Sequence, residues 1–344
     1  MFCYIKKEAF AIEKELKVYA DLMERYTTTM DKNFLYRAEQ ISNVFIKNDI
    51  LPAELVRIHN EAMKQVCKDM PEQVSATMDF LLEAMIAYGV AHKNYQKVNE
   101  EKNALRTEIQ IAANMQKDFL KTRIPQEGPL DIGVISVPYS QMNGDYYHFI
   151  EGKEGSIGMA IADVIGKGVP AALSMSMIKY SMDGFKEMTR TPRQILRSLN
   201  RVVEKNVSSN MFITMFYAQY NIKTDVLSYA SAGHEPGFYY EAKTDTYHEF
   251  KADGLVLGVL DHTDYNEHHV KMQVDDRVIL LTDGVTECKY GERFITRAEV
   301  LEVIKKFMYL TPKNQVAAVY NHFENLPEFE LKDDFTLLIF EKKV

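Results

Sequence analysis

Apolar residues recur at three- and four-residue spacing through the first third of the chain, in Ile12, Leu16, Tyr19 and Met23 and again in Leu55, Ile58, Ala62 and Val66. That spacing lines one stripe of an α-helix. Pro52 and Pro71 disfavour helical geometry in the residues before them and mark breaks. The pattern predicts four helices, over 4–27, 31–47, 52–68 and 71–95, forming a small bundle or half of a dimeric one. Residues 97–121 are good helix formers without Gly or Pro and predict a connecting helix. Val98, Leu105, Ala112 and Phe119 fall every seven residues, but the positions between them mix charged with apolar side chains. Such a seam is too weak for a stable coiled coil. It reads either as a solvated linker or as a helix whose pairing is conditional, and so able to switch.

From Gly128 onward the period changes to two. Short segments rich in β-branched and aromatic residues predict strands over 131–137, 145–150, 157–162, 211–220, 226–231, 236–241, 246–250, 277–282 and 335–340. Helices are predicted over 169–189, 192–207, 297–308 and 312–325, two of them opening on Thr191-Pro192 and Thr311-Pro312, an N-cap followed by proline at the first helical position. Runs of strands and paired helices, without strict β-α alternation, predict an α+β fold of antiparallel sheets covered by helices.

Glycine usage sharpens the division: Gly89 is the single glycine of residues 1–127, and the other 15 of the 16 lie beyond. Charge divides as well, with 18 Lys/Arg against 19 Asp/Glu before residue 128 and 23 against 30 after it, so −7 of the net −8 belongs to the second part. An acidic balance argues against a nucleic-acid binder or a binder of anionic membranes, and against a nuclease or nucleotide phosphohydrolase with a basic groove. Cys3, Cys67 and Cys288 are scattered, without the spacing of a disulfide framework or a cysteine zinc site, and point to the cytoplasm. The most apolar run, 80–91, contains Glu83 and falls short of the roughly 20 residues needed to span a bilayer, so no membrane segment is expected.

Candidate chemistry lies in aspartates at the ends of apolar strands: Asp145 in GDYYHF, Asp163 in ADVIGKG, Asp283 in LLTDGVTE, and Asp333 and Asp334 in DDFTLLIF. A hairpin turning about residue 154 gives pairs whose numbers sum to 308, which sets Asp145 directly opposite Asp163. Opposed like charges are destabilising, and no Lys or Arg occurs over 138–152, so a bound cation is the natural counter-charge. A carboxylate site favours Mg²⁺ or Mn²⁺. In the other reading the register is shifted and both aspartates cap turns. Gly166 and Gly168 allow a tight turn that leaves a carbonyl, such as that of Val164, facing the metal. A phosphate-binding P-loop is excluded, because Ile161 stands where its first glycine belongs. His234 in SAGHEP is either a general acid or part of a structural turn, His262, His268 and His269 read as a solvated loop, and Cys288 reads as packing.

The ordered set GDYYHF, ADVIGKGVPAALSMSMIK, NMFITMFYA, YASAGHEPGFYY, GLVLGV, LLTDGVTE and DDFTLLIF spans residues 144–340 and resembles the SpoIIE-type branch of the metal-dependent PP2C serine/threonine phosphatases. The resemblance implies a PP2C-like αββα sandwich over 122–344, preceded by a helical partner-docking or dimerising domain over 1–84 and a helical switch linker over 85–121. It implies two Mn²⁺ or Mg²⁺ ions, with Asp163 bridging both and Val164 lending its carbonyl. It further implies Asp145 on the second ion, with Asp283 and one of Asp333 and Asp334, Asp333 favoured, on the first. Asp163 and Asp145 are then the catalytic pair, activating water for attack on phosphorus. The implied substrate is a phosphorylated anti-anti-sigma factor, the implied activator an RsbT-like kinase-fold protein docking on the N-terminal domain of a homodimer, and the implied output the general stress response. A catalytically idle phosphoprotein-binding scaffold of the same fold is the alternative.

Overall fold

The computed structural model describes residues 17–343 apart from 39, 41–51, 68, 70, 127, 153–154, 167, 186–189 and 208–210. The start of the first predicted helix, Glu39 and 41–47 of the second, the hairpin turn at 154 and Lys167 lie outside the described residues. These residues fall into two compact units dividing between Arg106 and Thr107.

The first unit is helical: α1 (17–29), α2 (33–38), α3 (Pro52–Val66) and most of α4 (Glu72–Phe119). Ile58 and Ala62 of α3 are buried, as the spacing predicts. Helices 71–95 and 97–121 are not separate: α4 runs 48 residues without interruption, because no breaker stands between them. The expectation that no segment is long and apolar enough to cross a membrane is also corrected. An 18-residue window of α4 reaches a mean hydropathy of 1.3, since it tolerates the charges that bound the shorter apolar run. Phe80, Tyr88 and Val90 lie exposed on this helix.

The second unit contains β1 (Leu130–Val137), β2 (Asp145–Gly152), β3 (Ser156–Val164), β4 (Ile213–Asn221), β5 (Val226–Ala232), β6 (Gly237–Glu241), β7 (Thr246–Phe250), β8 (His268–Lys271), β9 (Arg277–Leu281), β10 (Lys289–Tyr290), β11 (Arg293–Phe294), β12 (Phe329–Glu330) and β13 (Phe335–Lys342). Helices α5 (Val169–Asp183), α6 (Pro192–Asn206), α7 (Arg297–Lys306) and α8 (Pro312–Glu324) complete it. Two antiparallel sheets of five strands, β1-β13-β9-β6-β7 and β2-β3-β4-β5-β8, carry the architecture. Both Thr-Pro helix starts are found where expected.

Three apolar clusters define four layers. Ala160, Ala162 and Val164 of β3 pack with α5 and α6, Ile157, Met159 and Ile161 of the same strand pack between the sheets, and Leu337 and Ile339 of β13 pack with α7 and α8. Alternate residues of β3 thus enter different cores, which is why the strand is buried on both faces. The same parity decides where the polar strand ends point. Asp145, Asp163 and Thr214 share the inter-sheet face with Phe149, Ile161 and Phe216, while Thr282, Asp334 and Thr336 share it with Leu280 and Leu338.

Candidate active site

At one end of the inter-sheet layer the apolar side chains give way to carboxylates. Asp145 opens β2 directly opposite Asp163 of β3, in the register that the hairpin predicts. Asp145 is buried, and its Oδ2 accepts a 2.7 Å hydrogen bond from the Thr282 hydroxyl, which reaches across from the other sheet. Asp334 is held differently: one carboxylate oxygen accepts from the Tyr139 main-chain N–H at 2.7 Å and the other from that of Gly144. Asp333 Oδ1 accepts from the Asp334 N–H at 2.9 Å. Asp283 follows β9 in a short 3₁₀ turn, and the Glu287 N–H donates to its carbonyl.

Glycines let these segments approach. A Cβ on Gly284 would lie 2.0 Å from the Asp334 carbonyl oxygen, inside any tolerable contact. One on Gly144 would lie 3.2 Å from the Asp334 carboxylate and 3.7 Å from the Val164 carbonyl oxygen, which places that carbonyl at the site. Beyond Val164 the chain turns through Gly166 (φ +139°) and Gly168 (φ +76°) into α5, conformations that L side chains rarely adopt.

Burial and mutual repulsion raise the carboxyl pKa values. Burial first, and then Asp283, Asp333, Asp334 and Glu287, push Asp163 up to about 7. Burial, Glu287 and Asp333 push Asp283 up to about 6. Burial and the facing Asp163 hold Asp145 well above the usual carboxylate range, although its hydroxyl partners oppose this. Burial also raises Asp334, against the pull of its main-chain donors. These groups resist ionising together, which is the electrostatic condition a divalent cation relieves. The donors are carboxylate and carbonyl oxygens, the hard set that suits Mg²⁺ or Mn²⁺. Among the described residues, no three His, Cys, Asp or Glu are gathered tightly enough to hold an ion as they stand.

A divalent cation taken up by Asp163 and Asp283 would therefore have to displace protons from them. The apparent Mn²⁺ dissociation constant is expected to tighten by at least about tenfold between pH 6 and pH 8. Calorimetric titration at the two pH values checks this, and an unchanged constant would contradict the raised carboxyls.

The other candidates separate from the site. Cys288 is buried, its thiol donates to the Gly284 carbonyl, and burial pushes its pKa up to about 12, so it is packing and not a nucleophile. His262, His268 and His269 are exposed and not gathered around a common point; the last two belong to β8, a strand not predicted from sequence. His234 is buried, and burial pushes it down to about 4, which favours the neutral ring over the protonated one.

Sequence reasoning missed three contributors. Thr282 lies beside Asp283 in LLTDGVTE, but only the inter-sheet contact shows that it holds Asp145. Glu287, in the same motif, adds charge to both Asp163 and Asp283. Gln116, near the end of α4, is buried and doubly bonded to the main chain of Asn143, with Nε2 donating to its carbonyl at 2.7 Å and Oε1 accepting from its N–H at 3.2 Å. Asn143 in turn accepts from the Asp145 N–H through Oδ1 at 3.0 Å. The signal was a polar residue at a heptad position, which periodicity alone cannot distinguish from solvent exposure.

Comparison with known proteins matches residues 153–343 to the SpoIIE family (Stage II sporulation protein E) and residues 17–91 to the family described as phosphoserine phosphatase RsbU, N-terminal domain. Phosphoserine phosphatase RsbU of Bacillus subtilis (strain 168) is 46% identical over 326 residues, 95% of this chain and 97% of that protein. Among solved structures, the SiaA PP2C domain of Pseudomonas aeruginosa superposes with a TM-score of 0.59 at 18% identity, covering 70% of this chain and 98% of that one. The PP2C domain of SpoIIE from Bacillus subtilis, solved with a fragment of its regulatory domain, gives 0.52 at 16% identity, over 62% and 63% of the two chains. These two likenesses concern the fold, and agree with the four-layer sandwich.

Proposed function

The chain belongs to the RsbU-type PP2C phosphoserine phosphatases, and from that membership we propose a specific substrate, cofactor and mode of control. The substrate is a serine- or threonine-phosphorylated anti-anti-sigma factor of the RsbV kind, and its dephosphorylation releases the general stress response in the cytoplasm. The observation that carries the site is the opposition of Asp145 and Asp163 on the inter-sheet face, with Asp283 and Asp333 adding charge at the same end. Asp145, Asp163, Asp283, Asp333 and the Val164 carbonyl would hold two Mn²⁺ or Mg²⁺ ions. Asp334, whose carboxylate is engaged by two main-chain donors, is the structural member of its pair. When bound, the ions supply a water of lowered pKa and neutralise charge on the phosphoryl oxygens.

The protein's own part is placement. Asp145 and Asp163 orient the attacking water, and the Thr282 hydroxyl keeps Asp145 on the inter-sheet face. No Lys or Arg lies over 138–152 to bind the phosphate, so selectivity comes from docking of the whole protein substrate. Mn²⁺-dependent phosphate release from a phosphorylated anti-anti-sigma protein, with and without the candidate activator, tests this reading. Turnover of a bare phosphoserine peptide at the same efficiency would overturn the docking part.

Control runs through the helical half. We divide the chain into a docking and dimerising domain over 1–84, a switch linker over 85–121 and the catalytic domain over 122–344. The apolar side chains exposed on α4, among them Val98 and Leu105, supply a face for pairing in a homodimer when an RsbT-like kinase-fold partner binds. Gln116 gives the pairing a route to the site, because it grips the residue whose side chain holds the Asp145 N–H. A partner shifts this equilibrium only by binding the paired state more tightly. Leu105→Asp is expected to reduce partner-dependent activation at least about tenfold while basal activity at high Mn²⁺ persists. Loss of both activities would indicate misfolding.

A further inference from the structure

Asp163 and Asp283 come from different sheets, so their separation depends on how the sheets are spaced at this end. One buried side chain reaches the frame of both. His234 Nδ1 lies 2.9 Å from the Thr214 hydroxyl, and Thr214 is the direct cross-strand partner of Asp163 on the same face of the sheet. The ring also feels the main chain of Leu281, the last residue of β9 and two positions before Asp283, which opposes the effect of burial on its pKa. The buried Nε2 has no hydrogen-bond partner among the described residues, and the second sheet is reached by the chain itself, which runs from His234 through Glu235 and Pro236 into β6, the neighbour of β9.

The turn that delivers the ring is itself pinned. Gly233 takes φ +67°, and a Cβ there would come within 2.5 Å of the Val256 side chain. The His234 N–H donates to the Ser231 hydroxyl at 3.1 Å. Glu235 pairs with Arg297 at 2.6 Å, and the same guanidinium donates to the carbonyls of Pro236 and Gly237. A histidine held this firmly, with Nδ1 on one sheet and its main chain leading into the other, cannot follow substrate or exchange protons with solvent. It can set a distance.

Building on the metal-site reading above, we propose that His234 is a positioning residue, a strut between the two sheets that sets the spacing of Asp163 and Asp283 through Thr214 and the run into β6, and with it the affinity for divalent cations. Burial keeps the ring neutral, so it adds no repulsion toward an incoming cation. Residues that orient the surroundings of metal ligands commonly govern affinity in this way.

The test uses the full chain. His234→Asn shortens the side chain that bonds Thr214, and Thr214→Val removes one hydroxyl at nearly constant volume. Each is expected to weaken Mn²⁺ binding by about 10- to 100-fold in calorimetric titration. The double variant should lose less than the product of the two, because both act on one link. A role confined to packing predicts a different outcome: a lower melting temperature in EDTA with Mn²⁺ affinity of the folded protein unchanged. That result in Thr214→Val, the milder variant, overturns the proposal even if His234→Asn does not fold. Asp163→Asn measured alongside separates the two claims. If it leaves Mn²⁺ binding intact, the metal-site reading has failed and the strut falls with it; if it abolishes binding while Thr214→Val does not change it, the strut alone is wrong.

Discussion

Asp163→Asn is expected to abolish phosphatase activity, by about 10³-fold or more, and to raise the melting temperature of the metal-free protein at pH 8. The two effects have one cause. Asp163 has a folded pKa of about 7 against an ordinary value of 3.8, because it is buried and faces Asp283, Asp333, Asp334 and Glu287. For a group whose pKa is raised by folding, the associated stability is fully present below the ordinary value and is lost as pH rises through the folded one. Over about pH 4 to pH 8 the metal-free protein therefore loses stability on the order of 2–4 kcal/mol at this residue. An amide carries no charge and escapes that loss. In a catalytic domain of this size the gain corresponds to about 5–10 °C at pH 8 and to little at pH 4. Thermal melts in EDTA at both pH values, with phosphate release in Mn²⁺, decide the matter. Equal melting temperatures at pH 8, or retained activity, would count against the acidic site as described.

Gly284→Ala should be as damaging to activity without any change of charge. The added methyl would sit 2.0 Å from the Asp334 carbonyl oxygen and 2.8 Å from its carbonyl carbon, and both belong to main chain that cannot swing aside. Relief requires β13 and the turn after β9 to part, which moves Asp283 and Asp333 away from Asp163 and breaks the Thr282 contact with Asp145. A loss of more than about 3 kcal/mol in stability is expected, with activity at or near background. Gly144→Ala is the comparison: its methyl meets the Asp334 carboxylate at 3.2 Å, a contact that a small shift relieves, so it should cost much less. Denaturant unfolding of the two variants gives the ranking. If Gly284→Ala were the milder, the close approach of the two segments would be wrong.

How much of this was legible beforehand depended on the distance over which each signal acts. The β2-β3 register could be read because a hairpin's pairing follows from its turn, and a single sum then places Asp145 opposite Asp163. The paired Thr-Pro helix starts and the glycine turn after Val164 are likewise local. The continuity of α4 was missed because two weaker patterns, an apolar bundle helix and a mixed heptad, were given a break that no residue enforces. The strand formed by His268 and His269 was missed because its exposed histidines lack the apolar alternation that marks a half-buried strand. The distinct position of Asp334 was not legible either, since both of its main-chain donors lie about half the chain away.

The sequence by itself determined most of the elements, the antiparallel α+β class, a helical first part followed by a sheet-rich second part, and one facing pair of carboxylates. Each of these follows from periodicity or from turns a few residues long. Only the tertiary structure decided what surrounds that pair: Thr282 on Asp145, Asp334 tied to Gly144, Gln116 on Asn143, and His234 on Thr214. These contacts join different strands, helices and sheets. The spacing of residues along the chain cannot encode which strand end meets which until the three apolar layers have packed and brought the two sheets face to face.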